Sequence, residues 1–246
     1  MKKNQVKTAI IGLGNSGFRF MENNFISSHL HIIKNNKNYK ILAVCDIDNK
    51  KLNYFKKKNK SKINTYNNID LLIKNENIDL AVVATDVNSH FKVINKLISN
   101  NIKSIVCEKP CCKNLDQFIK LKNKLSKKNI NLFTYYPRRY HQSFIDIKNN
   151  NKNNIIIRIY AKISGKYYEN ACHLIDLISF LAHDKLNLIN KKKNKKIRSY
   201  NFINKKNKFE VEILHEKENA KFYEIIIKYE KKIIYLNYGG RNIYSN

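Results

Sequence analysis

Short apolar runs of strand length alternate with helical patterns through the first half of the chain. Residues 6–11, 39–45, 78–85, 103–107 and 130–134 carry clusters of Val, Ile, Leu and Ala bounded by polar breaks, and 63–66 is a short, weakly signalled further strand. Between most of them, at 16–23, 49–58, 88–99 and 114–127, apolar residues recur at helical spacing, and 26–35 forms a further helical or irregular piece. Unbroken β-branched runs suit strands covered on both faces, whereas a half-exposed strand alternates. The pattern therefore predicts βα units wound about a buried parallel sheet.

After residue 136 the pattern changes. A long strand-like run at 155–163 precedes a helix at 169–181, with Leu174, Ile175, Ile178 and Leu181 on one face. Runs at 198–203, 209–215, 222–229 and 232–238 alternate apolar and polar positions, with hairpin-like breaks at 205–207 and 230–231. The predicted fold class is α/β: a Rossmann doubly wound parallel sheet over 1–136, then a smaller α+β domain over 137–246 with an open, mainly antiparallel sheet. The Lys/Asn tracts at 56–60 and 191–196 read as solvated loops.

Composition changes this picture little. The chain of 246 residues carries a net charge of +29, which would ordinarily suggest a nucleic-acid or anionic-membrane partner. Yet 42 of the 48 basic residues are Lys and only six are Arg, and 39 Asn and 36 Ile accompany them. All three types have AT-rich codons, so the bias reads as a coding constraint spread over the chain. A nucleic-acid binder favours Arg, whose planar fork fits phosphate and guanine. No apolar run reaches the roughly 18 residues of a membrane span. The opening residues mimic a short signal peptide without its cleavage site, and five Cys lack metal-finger spacing. No nucleic acid, no membrane, no metal and a reducing cytoplasmic setting are expected. Against so few Gly and Pro, the survivors carry weight as backbone specialists.

Gly12-Leu13-Gly14-Asn15-Ser16-Gly17 follows the first predicted strand and opens a helix. The first Gly permits a tight turn, the second lets backbone approach a pyrophosphate, and the third lets helix and strand pack closely. Free N–H groups at the helix start favour the anion. Asp46, ending the second strand, suits the ribose 2′-hydroxyl of NAD and repels the 2′-phosphate of NADP; Asp48 is its rival and is better placed to cap the next helix. Glu108-Lys109-Pro110 ends the fifth strand, at the sheet edge where such folds bind ligand. A Lys there can stabilise a developing negative charge on a reacting oxygen. On the predicted helix at 169–181, Glu169 and His173 are four apart, and His173 and Asp176 three apart. A carboxylate beside His orients the imidazole and raises its basicity.

Taken in this order, the glycine loop, Asp46, Thr85 followed by His90, Glu108-Lys109-Pro110 and His173-x-x-Asp176 resemble the glucose-fructose/inositol dehydrogenase (Gfo/Idh/MocA) oxidoreductase family. Ser28-His29, Tyr136-Pro137-Arg138-Arg139-Tyr140 and Asn170-Ala171-Cys172-His173 resemble its short polysaccharide and nucleotide-sugar branch. The resemblance implies hydride transfer between NAD and a sugar or nucleotide-sugar hydroxyl carbon, in surface-polysaccharide biosynthesis. It makes Lys109 and His173 the catalytic pair, with Glu169 assisting. It places Gly12, Gly14, Asn15, Ser16, Gly17, Asp46, Thr85, His90, Glu108 and Lys109 against the cofactor. It places Arg138, Arg139, Lys166, Asn170 and Asp176 against the substrate; Arg would grip a diphosphate or uronate carboxylate bidentately, or else form a structural salt bridge. A homo-oligomer through the C-terminal sheet is also implied. Departures are Asp86 where Pro is usual after Thr85, Ala171 and Cys172 where a Gly is common, and Glu169 where Asp is commoner. Family members are longer, so a shortened C-terminus is expected, and with it the alternative of a catalytically silent NAD(H)-binding protein.

Overall fold

The computed structural model of the chain describes residues 4–19, 28–59, 62–164, 167–182, 186–193, 197–204, 209–216, 223–237 and 242–245. They form two compact units, Met1–Tyr135 and Tyr136–Asn246.

The first unit carries six parallel strands: β1 (Val6–Ile11), β2 (Tyr39–Cys45), β3 (Asn64–Tyr66), β4 (Leu80–Val83), β5 (Ser104–Cys107) and β6 (Asn131–Thr134). Their order across the sheet is β3-β2-β1-β4-β5-β6, so the winding reverses between β1 and β4. The intervening helices are α1 (His29–Lys34), α2 (Asn49–Lys58), α3 (Ile69–Asn75), α4 (Val87–Ser99) and α5 (Leu115–Lys128). Successive strand side chains point to opposite faces, and along the central strands β1 and β4 both faces are buried. Ala9 and Ile11 of β1 pack in one core cluster with Val83, Ile94, Leu97 and Leu121. Ile10 packs in another with Val44, Leu52, Phe55 and Val82. This is why the strands read as unbroken apolar runs.

Asx residues organise the helix ends. Asp48, Asn68, Asp86 and Asn114 cap α2, α3, α4 and α5, each accepting from a backbone N–H of the first turn. Asn129 closes α5 in the left-handed region (φ 49°), a place Gly commonly takes. A Gly-poor, Asn-rich chain thus fills left-handed positions with the next best residue.

The second unit begins with a 3-10 turn (Pro137–Tyr140) and α6 (Gln142–Asn150), then β7 (Ile156–Ser164) and α7 (Tyr167–Leu181). Six strands follow: β8 (Asn187–Lys193), β9 (Ile197–Asn204), β10 (Phe209–Glu216), β11 (Tyr223–Tyr229), β12 (Ile233–Asn237) and β13 (Asn242–Ser245). The sheet order is β13-β12-β11-β7-β10-β9-β8. Only β7 and β10 pair in parallel; the other pairs are antiparallel. Leu174, Leu177, Ile178 and Leu181 of α7 are buried with Ile159, Ile163, Val211, Ile213, Ile225 and Ile227 of the sheet.

The expected architecture is present, with local differences. The tract at 191–196 is not simply a loop. Its first three lysines belong to β8, an edge strand whose outward positions tolerate charge, and 194–196 lie outside the described residues. Residues 56–58 are the last turn of α2 rather than loop. The helices α3 and α6 and the strands β8 and β13 carry too weak or too polar a pattern to be predicted. Of the helix expected at 16–23, a single turn is described, in which Phe18 and Arg19 N–H both donate to the Gly14 carbonyl (2.9 and 3.2 Å).

Candidate functional site

The glycine turn stands at the reversal of the first sheet, just past β1. Gly12 has φ +100°, and a Cβ there would lie 2.5 Å from the Ala84 carbonyl oxygen. A Cβ on Gly17 would lie 1.9 Å from the Gly12 oxygen. Both positions therefore require Gly for packing. Gly14 differs: a Cβ there would meet nothing within 4 Å. Its bareness leaves open space beside backbone, which fits the close approach of a pyrophosphate. Asn15 is exposed and Ser16 half-buried. The turn is braced from below, because the Ser16 and Gly17 carbonyls accept from the N–H groups of His29 (2.8 Å) and Leu30 (3.1 Å) in α1.

Asp46 is buried and binds this turn. Its Oδ2 accepts from Leu13 N–H at 2.7 Å and its Oδ1 from Asp48 N–H at 2.9 Å, with Lys51 Nζ 3.5 Å from Oδ2. A carboxylate offers about four lone-pair sites, so acceptor capacity remains for a ribose hydroxyl. Asp48 instead caps α2, accepting from Lys50 N–H at 2.8 Å. The two aspartates are thereby separated into different tasks.

At the neighbouring strand ends, Thr85 receives a hydrogen bond from the Ser89 hydroxyl (2.8 Å). His90 is almost fully buried. Its Nε2 lies 2.9 Å from the Thr85 carbonyl and its Nδ1 2.9 Å from the Pro110 carbonyl. A carbonyl only accepts, so the ring nitrogen that carries the proton is the donor. His90 thus ties the end of β4 to the residue after Lys109 rather than presenting a ring outward.

Glu108 is gripped by His29, whose Nε2 lies 2.8 Å from Oε1. The His29 ring stands edge-on to Tyr135 at 4.8 Å between centroids. Burial pushes the Glu108 carboxyl up. The hydrogen bond and charge of His29, then the N–H and ammonium of Lys109, outweigh that and hold it below the usual carboxylate range. Lys109 itself is half-buried. The sequence pattern assigned His29 no task. The available signal was Ser28, which caps α1 by accepting from His31 N–H (3.3 Å) and so fixes where His29 enters the helix.

In the second unit, the 3-10 turn lays two arginines beside α7. Arg139 Nε donates to both oxygens of Asp176 (2.9 and 2.8 Å), and Nη2 donates to Oδ1 at 2.6 Å. This pairing raises the Arg139 guanidinium above its ordinary value against the opposing effect of burial. Arg138 instead stacks over the Tyr223 ring at 4.3 Å. Burial pushes the Tyr223 phenol up, and its hydroxyl has no hydrogen-bond partner among the described residues. Tyr136 stands edge-on to His173 at 6.0 Å, and His173 is half-buried. Arg138, Arg139, His173 and Asp176 are therefore brought together, with Tyr223 as a member the pattern missed. Asp176 is committed to Arg139. Lys166 lies outside the described residues, as do the side chains of Glu169 and Asn170.

Comparison with known proteins identifies the family of the first unit and the fold of the chain. A family model described as "Oxidoreductase family, NAD-binding Rossmann fold" (Gfo/Idh/MocA) matches residues 6–136. An uncharacterized oxidoreductase of Schizosaccharomyces pombe is 26% identical over 144 residues, covering 58% of this chain and 37% of its own length. A second from that yeast is 32% identical over 83 residues, 34% of this chain and 22% of its own. The matches thus span well under half of both curated relatives. Among solved structures, a dehydrogenase from Clostridium difficile superposes with a TM-score of 0.76 at 19% identity, covering 98% of this chain and 82% of its own. The WlbA dehydrogenase from Bordetella pertussis, solved with NADH and UDP-GlcNAcA, gives 0.81 at 13% identity over 96% of this chain and 75% of its own. A myo-inositol 2-dehydrogenase from Lactobacillus plantarum gives 0.77 at 16% identity over 95% and 76%.

Proposed function

The chain belongs to the Gfo/Idh/MocA oxidoreductase family, with its NAD-binding Rossmann fold, and from this we propose that it transfers hydride between NAD and a hydroxyl-bearing carbon of a sugar or nucleotide sugar. The observation that carries the reading is the open backbone at Gly14, set at the sheet reversal next to a buried Asp46 that is hydrogen-bonded to the same turn. Gly12, Gly14, Asn15, Ser16 and Gly17 would hold the pyrophosphate, and Asp46 the adenosine ribose. The Asp46 charge disfavours a 2′-phosphate, so NAD is preferred over NADP.

When bound, the nicotinamide supplies the hydride acceptor or donor. Lys109 Nζ donates a hydrogen bond to the reacting oxygen and stabilises its developing charge. A ring nitrogen of His173 takes the hydroxyl proton. Glu169, four residues before His173 in the sequence, would assist the imidazole. Asp176 does not serve His173 in this scheme, because Arg139 holds it; it fixes the 3-10 turn instead. Arg138, in no ion pair among the described residues, is left to meet an anionic substrate group such as a diphosphate or uronate. The structural relatives solved with UDP-GlcNAcA support that choice of substrate class. The apolar outer positions Ile157, Leu188, Ile189 and Tyr244 of the second sheet are exposed and would pair with a second copy, which light scattering of the purified chain tests.

The deciding experiment is an NADH fluorescence titration, free of Trp background, followed by nucleotide sugars and polyols monitored at the nicotinamide absorbance. Binding with turnover that is lost in Lys109→Ala and His173→Ala is the expected result. Binding without turnover of any sugar would overturn the enzymatic reading.

A further inference from the structure

Two residues following Pro110 take no part in the chemistry above. Cys111 and Cys112 are adjacent and half-buried, and their sulfurs lie 3.7 Å apart. Both pack against the apolar cluster beneath α4 and α5. A third thiol, Cys107 at the end of β5, is fully buried and donates to the Glu108 carbonyl at 3.3 Å.

Distance decides what such a pair can hold. A disulfide needs sulfurs about 2.05 Å apart and Cα atoms at least about 4.4 Å apart. Consecutive Cα atoms stand only about 3.8 Å apart across a trans peptide. Direct joining would therefore close the sulfurs by about 1.6 Å inside a cramped ring. A bridging atom asks for no such movement. Two sulfur bonds of about 2.3 Å span about 3.3–3.7 Å as the angle between them opens from about 90° to the tetrahedral value.

The nature of the bridging atom follows from protons and ligand number. A metal cation needs thiolates and further ligands. Burial, and then the neighbouring Cys111, push the Cys112 thiol up, which disfavours the thiolate that a metal or an oxidant meets. Among the described residues, no three His, Cys, Asp or Glu side chains are grouped to hold a metal. Peroxide oxidation likewise starts from a thiolate. A trivalent organoarsenical needs only two sulfurs, because carbon occupies its third bond, and its own oxide oxygen accepts the thiol protons.

We propose that Cys111 and Cys112 form a two-sulfur capture site for trivalent organoarsenicals, directly after the Glu108-Lys109-Pro110 segment. In the capture step the arsenic–oxygen double bond breaks and two arsenic–sulfur bonds form. Both thiol protons leave with the oxygen as one water. No electrons are exchanged, and arsenic stays trivalent.

The test uses phenylarsine oxide on the full chain, read by intact mass and by peptide mapping. One adduct per chain is expected. It should survive excess 2-mercaptoethanol, a monothiol, and be released by dithiothreitol. Cys111→Ser and Cys112→Ser should each lose it, whereas Cys107→Ser and Cys172→Ser keep it. Release by the monothiol, retention in either of the first two variants, or mapping to Cys107 or Cys172 would overturn the proposal. Mapping on the unaltered chain decides the matter even where a variant fails to fold. A separate arm asks whether capture weakens NADH binding by tenfold or more. That arm rests on the placement of Lys109 near the nicotinamide, so it can fail with the adduct still formed, and the two readings remain distinguishable.

Discussion

Replacing His29 by Ala should expose how much the first unit depends on the pair it makes with Glu108. The two side chains are 7% and 14% exposed and 2.8 Å apart. Removing one partner of a buried pair typically costs about 3–5 kcal/mol, because the other charge is stranded. Protonation sets a ceiling on that cost here. A carboxyl with an ordinary value of 4.5 can be made neutral at pH 7 for about 3.4 kcal/mol, at about 1.36 kcal/mol per pKa unit. Lys109 still faces Glu108 and lowers the figure, whereas the lost edge contact with Tyr135 adds about 0.5–1.5 kcal/mol. A net loss of about 2–3 kcal/mol at pH 7 is expected. Urea unfolding followed by circular dichroism measures it as a lower midpoint at unchanged slope. The double variant His29→Ala/Glu108→Gln should recover about half of the loss, since no charge is left stranded. The pH dependence has a defined sign. Glu108 titrates lower when folded than when unfolded, so its stabilising contribution is present above the ordinary carboxylate range and disappears as pH falls through the folded value. His29→Ala should flatten that acid limb. A loss below about 0.5 kcal/mol, or strictly additive single variants, would refute the account.

Three further outcomes follow from the same geometry. Gly14→Ala should unfold like the parent chain yet bind NADH at least tenfold more weakly, whereas Gly12→Ala should lose about 2 kcal/mol or more of stability, from its positive φ and the Ala84 clash. Asp46→Ala should cost about 1.5–3 kcal/mol in urea unfolding, because the Leu13 and Asp48 amides lose a charged acceptor. Arg139→Ala should destabilise the second unit by stranding Asp176, and Arg139→Ala/Asp176→Asn should restore most of that loss in thermal melts.

The doubly wound sheet was legible because both its faces are buried, which writes β1, β2, β4 and β5 as unbroken apolar runs. The glycine turn was legible because two of its three Gly are sterically obligatory. Short polar elements were not. The helix α3 has seven residues and its register is set by packing around Leu72 rather than by a periodic stripe. The strand β8 hides among lysines because an edge position does not require them to be apolar. In the candidate site, Arg139 and Asp176 were both legible as charged residues, but their mutual pairing spans 37 positions in sequence and only the fold brings it about. The task of His29 is illegible for the same reason: its partner Glu108 is 79 residues away. Tyr223 carried no pattern at all, since its interest lies in a hydroxyl without a hydrogen-bond partner among the described residues, which only the fold shows.

The parallel pairing at the centre of the second sheet has a consequence for the order of folding. The strand β7 must wait for β10 and β11, so its neighbours on either side arrive only with residues 209–216 and 223–229. Every strand of the first unit is complete by residue 134. At about 5–20 residues per second, a ribosome needs roughly 5–20 s to carry synthesis from the end of the first unit to the end of β11. During that interval β7 and the apolar face of α7 are synthesised without the strands that later cover them. A nascent chain stalled before β10 should therefore bind NADH-like nucleotides through a folded first unit while its emerging second unit still attracts chaperones.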